Sequence, residues 1–235
     1  MSFLLSCIWE MTKRETDDVF LTLEEPENYL HPHSVRQLSA TIDDLAGDGD
    51  FVFLTTHSPE LASVRDIGAI KRIKMSDGSS EVQYVDREFD EDDEEQLETV
   101  ASREVNELFF SRAVIVCEGS SDRDALRIAD ELTSRAIPDR NPLDAEGVSV
   151  IEAGGKDSVP LYLKLADQLD IPSVALLDDD NDDESNEDID EELVSKCEEL
   201  SKRFFRLEED LEHSFLEKIT IETFHKSMER LEEIG

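Results

Sequence analysis

The stretch AVIVCEGSSDRDAL, residues 113–126, sets the architecture of the chain, and VSVIEAGGKD (148–157) and SVALLDDD (173–180) repeat its design. Val114–Val116 reads as a buried strand, because a short β-branched run bounded by turn formers suits a parallel sheet. Glu118 falls just past its carboxyl end, Gly119 permits a tight exit, and Asp122 opens the helix that follows. Val148–Ile151 and Ser173–Leu177 read as two more strands, separated by the helical pattern SVPLYLKLADQL. Strand, helix, strand, helix, strand implies crossover connections and a parallel, Rossmann-like sheet of the α/β class. Ligands of such sheets bind outside the carboxyl ends of the strands, where Glu118, Asp178 and Asp180 fall.

Carboxylates converging there without His or Cys make an oxygen-only site, which suits Mg²⁺ or Mn²⁺ and argues against zinc. Left alone they would repel and raise one another's pKa, so a divalent cation is the natural counter-charge. EGSSD (118–122) followed later by DDD (178–180) after a strand resembles a Toprim domain, the topoisomerase–primase metal fold. The lead-in NELFFSRAVIVCEG and the middle GGKDSVPLYLKLADQLDIPSVALLDDD resemble the overcoming-lysogenization-defect (OLD) nuclease branch of that fold. An ordinary α/β domain with acidic strand ends would share single features of this stretch; order, spacing and strand context together favour the resemblance. It implies a DNA endonuclease or nickase with two metal ions held by Glu118, Asp122, Asp178 and Asp180. Glu212 fits an acidic position that the family places near its metals. Lys156 either steadies a phosphate or merely caps an acidic loop. OLD proteins act in phage defence or DNA processing, commonly as dimers.

The first part of the chain carries a second pattern. Val19–Leu23 reads as a buried strand with Glu24 and Glu25 at its carboxyl end, and Phe51–Thr55 as another with His57 at its exit. Between them Val35, Leu38, Ile42 and Leu45 recur at helical spacing, predicting a helix over Ser34–Leu45. LEEPENYLHP and TTHSPEL resemble the Walker B and switch-histidine segments of ABC-type ATPases, in the form seen in RecF-like and OLD proteins. The resemblance implies that Glu24 helps hold the nucleotide's Mg²⁺, Glu25 polarises the attacking water and His57 senses the γ-phosphate. Glu24 departs from the aspartate of ABC proteins at large. Taken singly, LEEPE would be a strand and an acidic turn, and His57 a structural histidine. His31 and His33 flank Pro32 and read as a turn.

ATP binding needs a glycine-rich loop with GK[ST], whose backbone N–H groups and lysine cradle the phosphates. The nearest string, Gly154-Gly155-Lys156, is followed by Asp157 and lacks a glycine five residues before Gly155. The expectation is the carboxyl-terminal part of an OLD-type protein, shortened by gene model, gene splitting or decay. ATP turnover by the chain alone is then doubtful, and ATP would bind only with a missing amino-terminal lobe supplied. Residues 1–86 are assigned to the end of an ABC-type ATPase lobe, 87–112 to an acidic linker and connecting helix, 113–216 to the Toprim domain and 217–235 to a terminal helix. Within the first part, Ala69–Met75 and Glu81–Val85 read as a hairpin around Ser76–Ser80. Met1–Arg14 reads as a buried helix, Gln96–Arg112 as the helix entering the Toprim strand, and Arg203–Leu207 as a further strand.

The balance is 23 basic against 60 acidic residues, a net charge of -37, far beyond what solubility needs. Acids are spread through both halves while apolar patterning survives between them, which favours a high-salt cytoplasm over mimicry of a basic partner. The 3 cysteines stand apart without CxxC spacing, as in a reducing interior. No run reaches the length of a membrane span, and no signal pattern is present, so a cytoplasmic location is expected. DNA is the expected partner, with a second copy or a chain completing the ATPase. The rival reading is a catalytically silent fragment serving as an interaction subunit of a split ATPase–nuclease. Nucleotidyl transfer, the primase use of the fold, finds no matching zinc or template-binding parts.

Overall fold

The computed structural model describes residues 20–47, 51–62, 67–76, 78–85, 89, 103–138, 140–178, 191–201 and 203–207. The expected helix at Met1–Arg14, the terminal helix, the acidic linker apart from Phe89, and the acidic run after Asp178 lie outside these residues. The chain divides into two units, Met1–Phe110 and Ser111–Gly235.

In the first unit β1 (Phe20–Glu24) pairs in parallel with β2 (Phe51–Thr55), Glu24 standing opposite Thr55. Helix α1 (Pro32–Gly47) connects them. Val35, Leu38, Ile42 and Leu45 are buried with Leu61, against Leu21, Leu23, Leu30, Val52 and Leu54. The helical spacing in the sequence thus names the packed face. Strand alternation sends Phe20, Phe51 and Phe53 to the opposite face, where they are exposed and the rings of Phe20 and Phe51 stack 5.7 Å apart. Pro32 begins α1, since the first helical position needs no N–H donor and favours proline's fixed φ. His31 and His33 stack on each other at this start, with Arg36 against His33.

Strands β3 (Lys71–Ser76) and β4 (Ser79–Tyr84) form an antiparallel hairpin whose last pair is Ser76 and Ser79. The connection is tighter than the five-residue loop expected from sequence. In the connection Gly78 takes a left-handed φ of 82°, which glycine adopts without strain. Helix α2 (Arg103–Leu108) also ends earlier than expected. A turn at Phe109–Phe110 follows, and by Arg112 the backbone is in the sheet ladder, its N–H donating to the Gly147 carbonyl at 2.8 Å.

The second unit is built on four parallel strands: β5 (Ala113–Cys117), β6 (Val148–Glu152), β7 (Ser173–Asp178) and β8 (Arg203–Leu207). Their spatial order is β6-β5-β7-β8. Helix α3 (Ser120–Ala136) and the short α4 (Leu143–Glu146) lead from β5 to β6, α5 (Val159–Gln168) from β6 to β7, and α6 (Glu191–Leu200) from β7 to β8. Helix α5 is apolar nearly all round. Val159, Leu161, Tyr162, Leu163, Leu165 and Ala166 are buried, and it packs on β5, β7 and α6. The other face of the sheet buries Cys117, Val150 and Leu176 beneath Ala125, Leu126 and Leu143. Helix α6 was not anticipated in the sequence; Leu193 and Cys197, one turn apart, are its buried positions. The strand expected at Arg203–Leu207 is present. The architecture is α/β, a parallel strand pair with its connecting helix followed by a four-stranded parallel sheet.

Burial pushes the Cys197 thiol up to about 11 and the Tyr162 phenol to about 12, the latter helped by the charge of Glu152. Burial pushes Cys117 to about 12, with Asp122 and Glu152 adding and Arg123 opposing. In the unfolded chain the thiols ionise near 9.0 and the phenol near 10.0. Above that pH the unfolded state sheds protons that the folded state keeps, so stability is full below pH ~9 and is lost as pH rises towards 12. At pH 10.5 each buried thiol should cost on the order of 2 kcal/mol. Urea midpoints at pH 8 and 10.5 measure this, and an unchanged midpoint would contradict it.

Candidate functional site

The strand order decides where this sheet can hold a ligand. From β5 the chain moves to one neighbour, β6, and then crosses to the other, β7. The connections therefore leave β5 and β7 in opposite directions and open a crevice at their carboxyl ends, the switch point at which open α/β sheets bind ligands. Cys117 stands opposite Leu176, so Glu118 and Asp178 follow within one and two residues on adjacent strands. Glu118 is half-buried, its Oε2 fully so. Asp122 is buried in the first turn of α3, and its Oδ2 accepts a hydrogen bond from the Gly119 N–H at 2.8 Å. That bond fixes the β5 exit and leaves Asp122 committed on one oxygen. A carboxylate in the first turn also favours the helix dipole.

The β6 exit is fastened to the β5 exit. Ala153 N–H donates to the Cys117 carbonyl at 2.9 Å and Gly155 N–H to the Glu118 carbonyl at 3.0 Å. Gly154 and Gly155 both have positive φ, 78° and 146°, which only glycine adopts without strain. This pair turns the chain into the short helical turn Lys156–Ser158 that leads to α5. Lys156 thus enters the loop beside Glu118 through its backbone. Among the described residues no group of three or more His, Cys, Asp or Glu side chains gathers as a metal centre. Asp180 and Glu212 lie outside those residues, and Asp178 is located by its place in β7.

The donors that the topology brings to this edge are carboxylates. Cys117, the nearest cysteine among the described residues, keeps its proton, with its thiol held up to about 12 and its Sγ 3.4 Å from the Ile151 carbonyl. That set fits a hard divalent cation and does not fit zinc.

Sequence reasoning passed over Arg123 and Glu152. Arg123 Nη1 donates to Glu152 Oε2, joining the first turns of α3 to the end of β6. The two residues are 29 apart in sequence, and only the strand register brings them together.

At the ends of β1 and β2 the structure joins two of the singled-out residues. Glu25 Oε1 lies 3.4 Å from His57 Nε2. Glu25 has left the strand with φ 40°, its N–H donating to the Thr55 carbonyl at 2.9 Å. A left-handed glutamate is costly, and such conformations gather at functional sites. Glu24, still in β1, is exposed. Glu27, which sequence reasoning also missed, is the clasp between the two loops. Its Oε1 accepts from Thr56 Oγ1 at 2.6 Å and from the His57 N–H at 2.8 Å. Its place as the last acid of EEPE was the available signal. Among the described residues no helix is long and apolar enough to cross a membrane.

Both segments of the chain match known proteins. Residues 1–62 match an AAA ATPase domain. Residues 109–180 match the TOPRIM domain of overcoming-lysogenization-defect-like proteins. The OLD nuclease of Thermus scotoductus (strain ATCC 700910 / SA-01) is 31% identical over 170 residues, which cover 67% of this chain and 30% of that nuclease. The chain therefore spans less than a third of the length of the curated relative it matches. With an AAA ATPase segment followed by an OLD-like TOPRIM domain, the chain belongs to the OLD family.

Proposed function

We propose that the chain is a metal-dependent DNA endonuclease of nicking type, acting at the carboxyl edge of the β6-β5-β7-β8 sheet. The observation that supports this most is the juxtaposition of Glu118 and Asp178 at the ends of adjacent parallel strands flanking the switch point. Glu118, Asp122, Asp178 and Asp180 would hold Mg²⁺ or Mn²⁺, two ions in all, with Glu212 as a further ligand. Bound there, such ions make a water nucleophilic at neutral pH and offset charge on the leaving oxygen of a phosphodiester. The protein's own part is to pre-position the carboxylates. The Gly119–Asp122 bond and the Gly155–Glu118 bond hold the two loops before substrate arrives. Lys156, carried by the second loop, would steady a phosphate of the DNA. Glu24, Glu25 and His57 would serve nucleotide hydrolysis in an ATPase completed by a second lobe, whether from a second copy or a partner chain. A role in phage defence or DNA repair, in the cytoplasm of a halophile, accords with the family resemblance and the charge.

The alternative, an interaction subunit of a split ATPase–nuclease, draws support from the exposed aromatic face of Phe20, Phe51 and Phe53. One experiment separates the two. Supercoiled plasmid incubated with the purified chain should be nicked with Mg²⁺ or Mn²⁺, remain intact in EDTA, and be nicked again on metal add-back. Intact plasmid under every metal condition would leave the interaction subunit as the better reading.

A further inference from the structure

Glu152 brings another carboxylate to the carboxyl edge of the sheet. It ends β6 opposite Cys117, the residue before Glu118. Its Oε2 is bound by Nη1 of Arg123, the residue after Asp122. Arg123 also sends Nε and Nη2 to Asp124 Oδ1, each at 3.1 Å. The Arg123 side chain is only 17% exposed, and that of Glu152 31%. A guanidinium stays charged at any pH the protein meets, and its planar fork fixes its direction, so Glu152 has a permanent counter-charge. The ion pair is not required to fasten the β5 exit, because Ala153 and Gly155 already bind the Cys117 and Glu118 carbonyls through their backbone N–H groups.

We infer that Arg123 sets cation specificity at this edge by withholding Glu152 from the ligands, an inference that rests on the metal-dependent reading above. Mg²⁺ demands near-octahedral geometry, keeps several waters and takes one or two carboxylates; Ca²⁺ accepts more oxygens in looser arrangements, and its affinity rises with ligand charge. A carboxylate kept in an ion pair lowers the number available and so favours the smaller ion. Releasing it would shift the balance towards Ca²⁺.

The test is calorimetric titration of Mg²⁺ and of Ca²⁺ into the full chain without DNA, each variant being checked for folding by circular dichroism. Arg123→Gln should raise the affinity for Ca²⁺ relative to Mg²⁺ by about tenfold. Glu152→Gln should stay within about twofold of the parent for both ions, since the group it loses is not a ligand. The double variant should return to the parent's ratio. A pair that only braces the structure would weaken both ions alike in the two single variants, and that result would overturn the inference, as would an unchanged ratio in Arg123→Gln. Should Arg123→Gln fail to fold, Arg123→Lys keeps the charge without the fork and must move the ratio the same way by less; no movement would overturn the inference. A parent chain that binds neither ion would overturn the metal-dependent reading itself, and this inference with it.

Discussion

Glu118→Ala and Asp178→Ala should each reduce plasmid nicking by roughly two to three powers of ten, the loss seen when one preorganised electrostatic group is removed from a transition state. The expectation rests on topology. β5 and β7 are adjacent and parallel, and the chain leaves them in opposite directions, so Glu118 and Asp178 stand at the two strand ends that flank the switch point. Neither substitution removes a backbone ladder bond: Glu118 lies past the β5–β7 pairs, which end at Cys117–Leu176, and Asp178 pairs with Leu207 through its main chain. Far-ultraviolet circular dichroism should therefore match the parent while nicking falls. Glu118→Gln, which keeps size and loses charge, should fall nearly as far as the alanine variant. Cleavage undiminished in both alanine variants would remove the activity from this edge.

Salt should act in the direction opposite to that of most DNA-binding proteins. Those proteins release counterions from phosphates, so their binding weakens steeply as salt rises. Here a net charge of -37 repels DNA at long range and repels itself. Screening reaches about 8 Å at 0.15 M and about 3 Å at 1 M, so molar salt suppresses both repulsions while leaving short contacts intact. Folding and nicking should both improve severalfold from tenths-molar to molar KCl at fixed Mg²⁺. The measurement is a KCl titration read by circular dichroism and by nicking rate. A chain fully folded at low salt, whose activity only falls as KCl rises, would refute the halophilic reading and revive acidity as a device for a basic partner.

Where the sequence carries periodicity, the fold is legible. Val35, Leu38, Ile42 and Leu45 predict the buried stripe of α1, and the apolar runs at 113–117 and 173–178 predict central strands. Helix α6 hides because the acidic run before it resembles a solvated loop and only Leu193 and Cys197 mark a buried face. The hairpin turn was legible in Asp77-Gly78 but obscured by the serines around it. Motif spacing reaches the Glu25–His57 approach through the resemblance alone; the positive φ that swings Glu25 towards the histidine is a backbone property no residue name encodes. The Glu27 clasp and the Arg123–Glu152 pair each link distant segments, and only strand register brings their partners within reach.

The burial of α5 on nearly all sides bears on how such a chain can drift. A helix with so narrow a wet face, Lys164 half-buried and Asp167 exposed, has few positions where a random substitution is harmless, because cavities, overpacking and stranded charges all cost stability elsewhere on it. Along Val159–Gln168 the charged residues are Lys164 and Asp167. The other helices carry exposed acids instead: Asp124 and Glu131 in α3, and Glu191, Glu192, Glu198 and Glu199 in α6. On the halophilic reading, added charge would therefore fall on the shell of the domain, where α3 and α6 already carry acids, and would spare α5 and the loop it anchors.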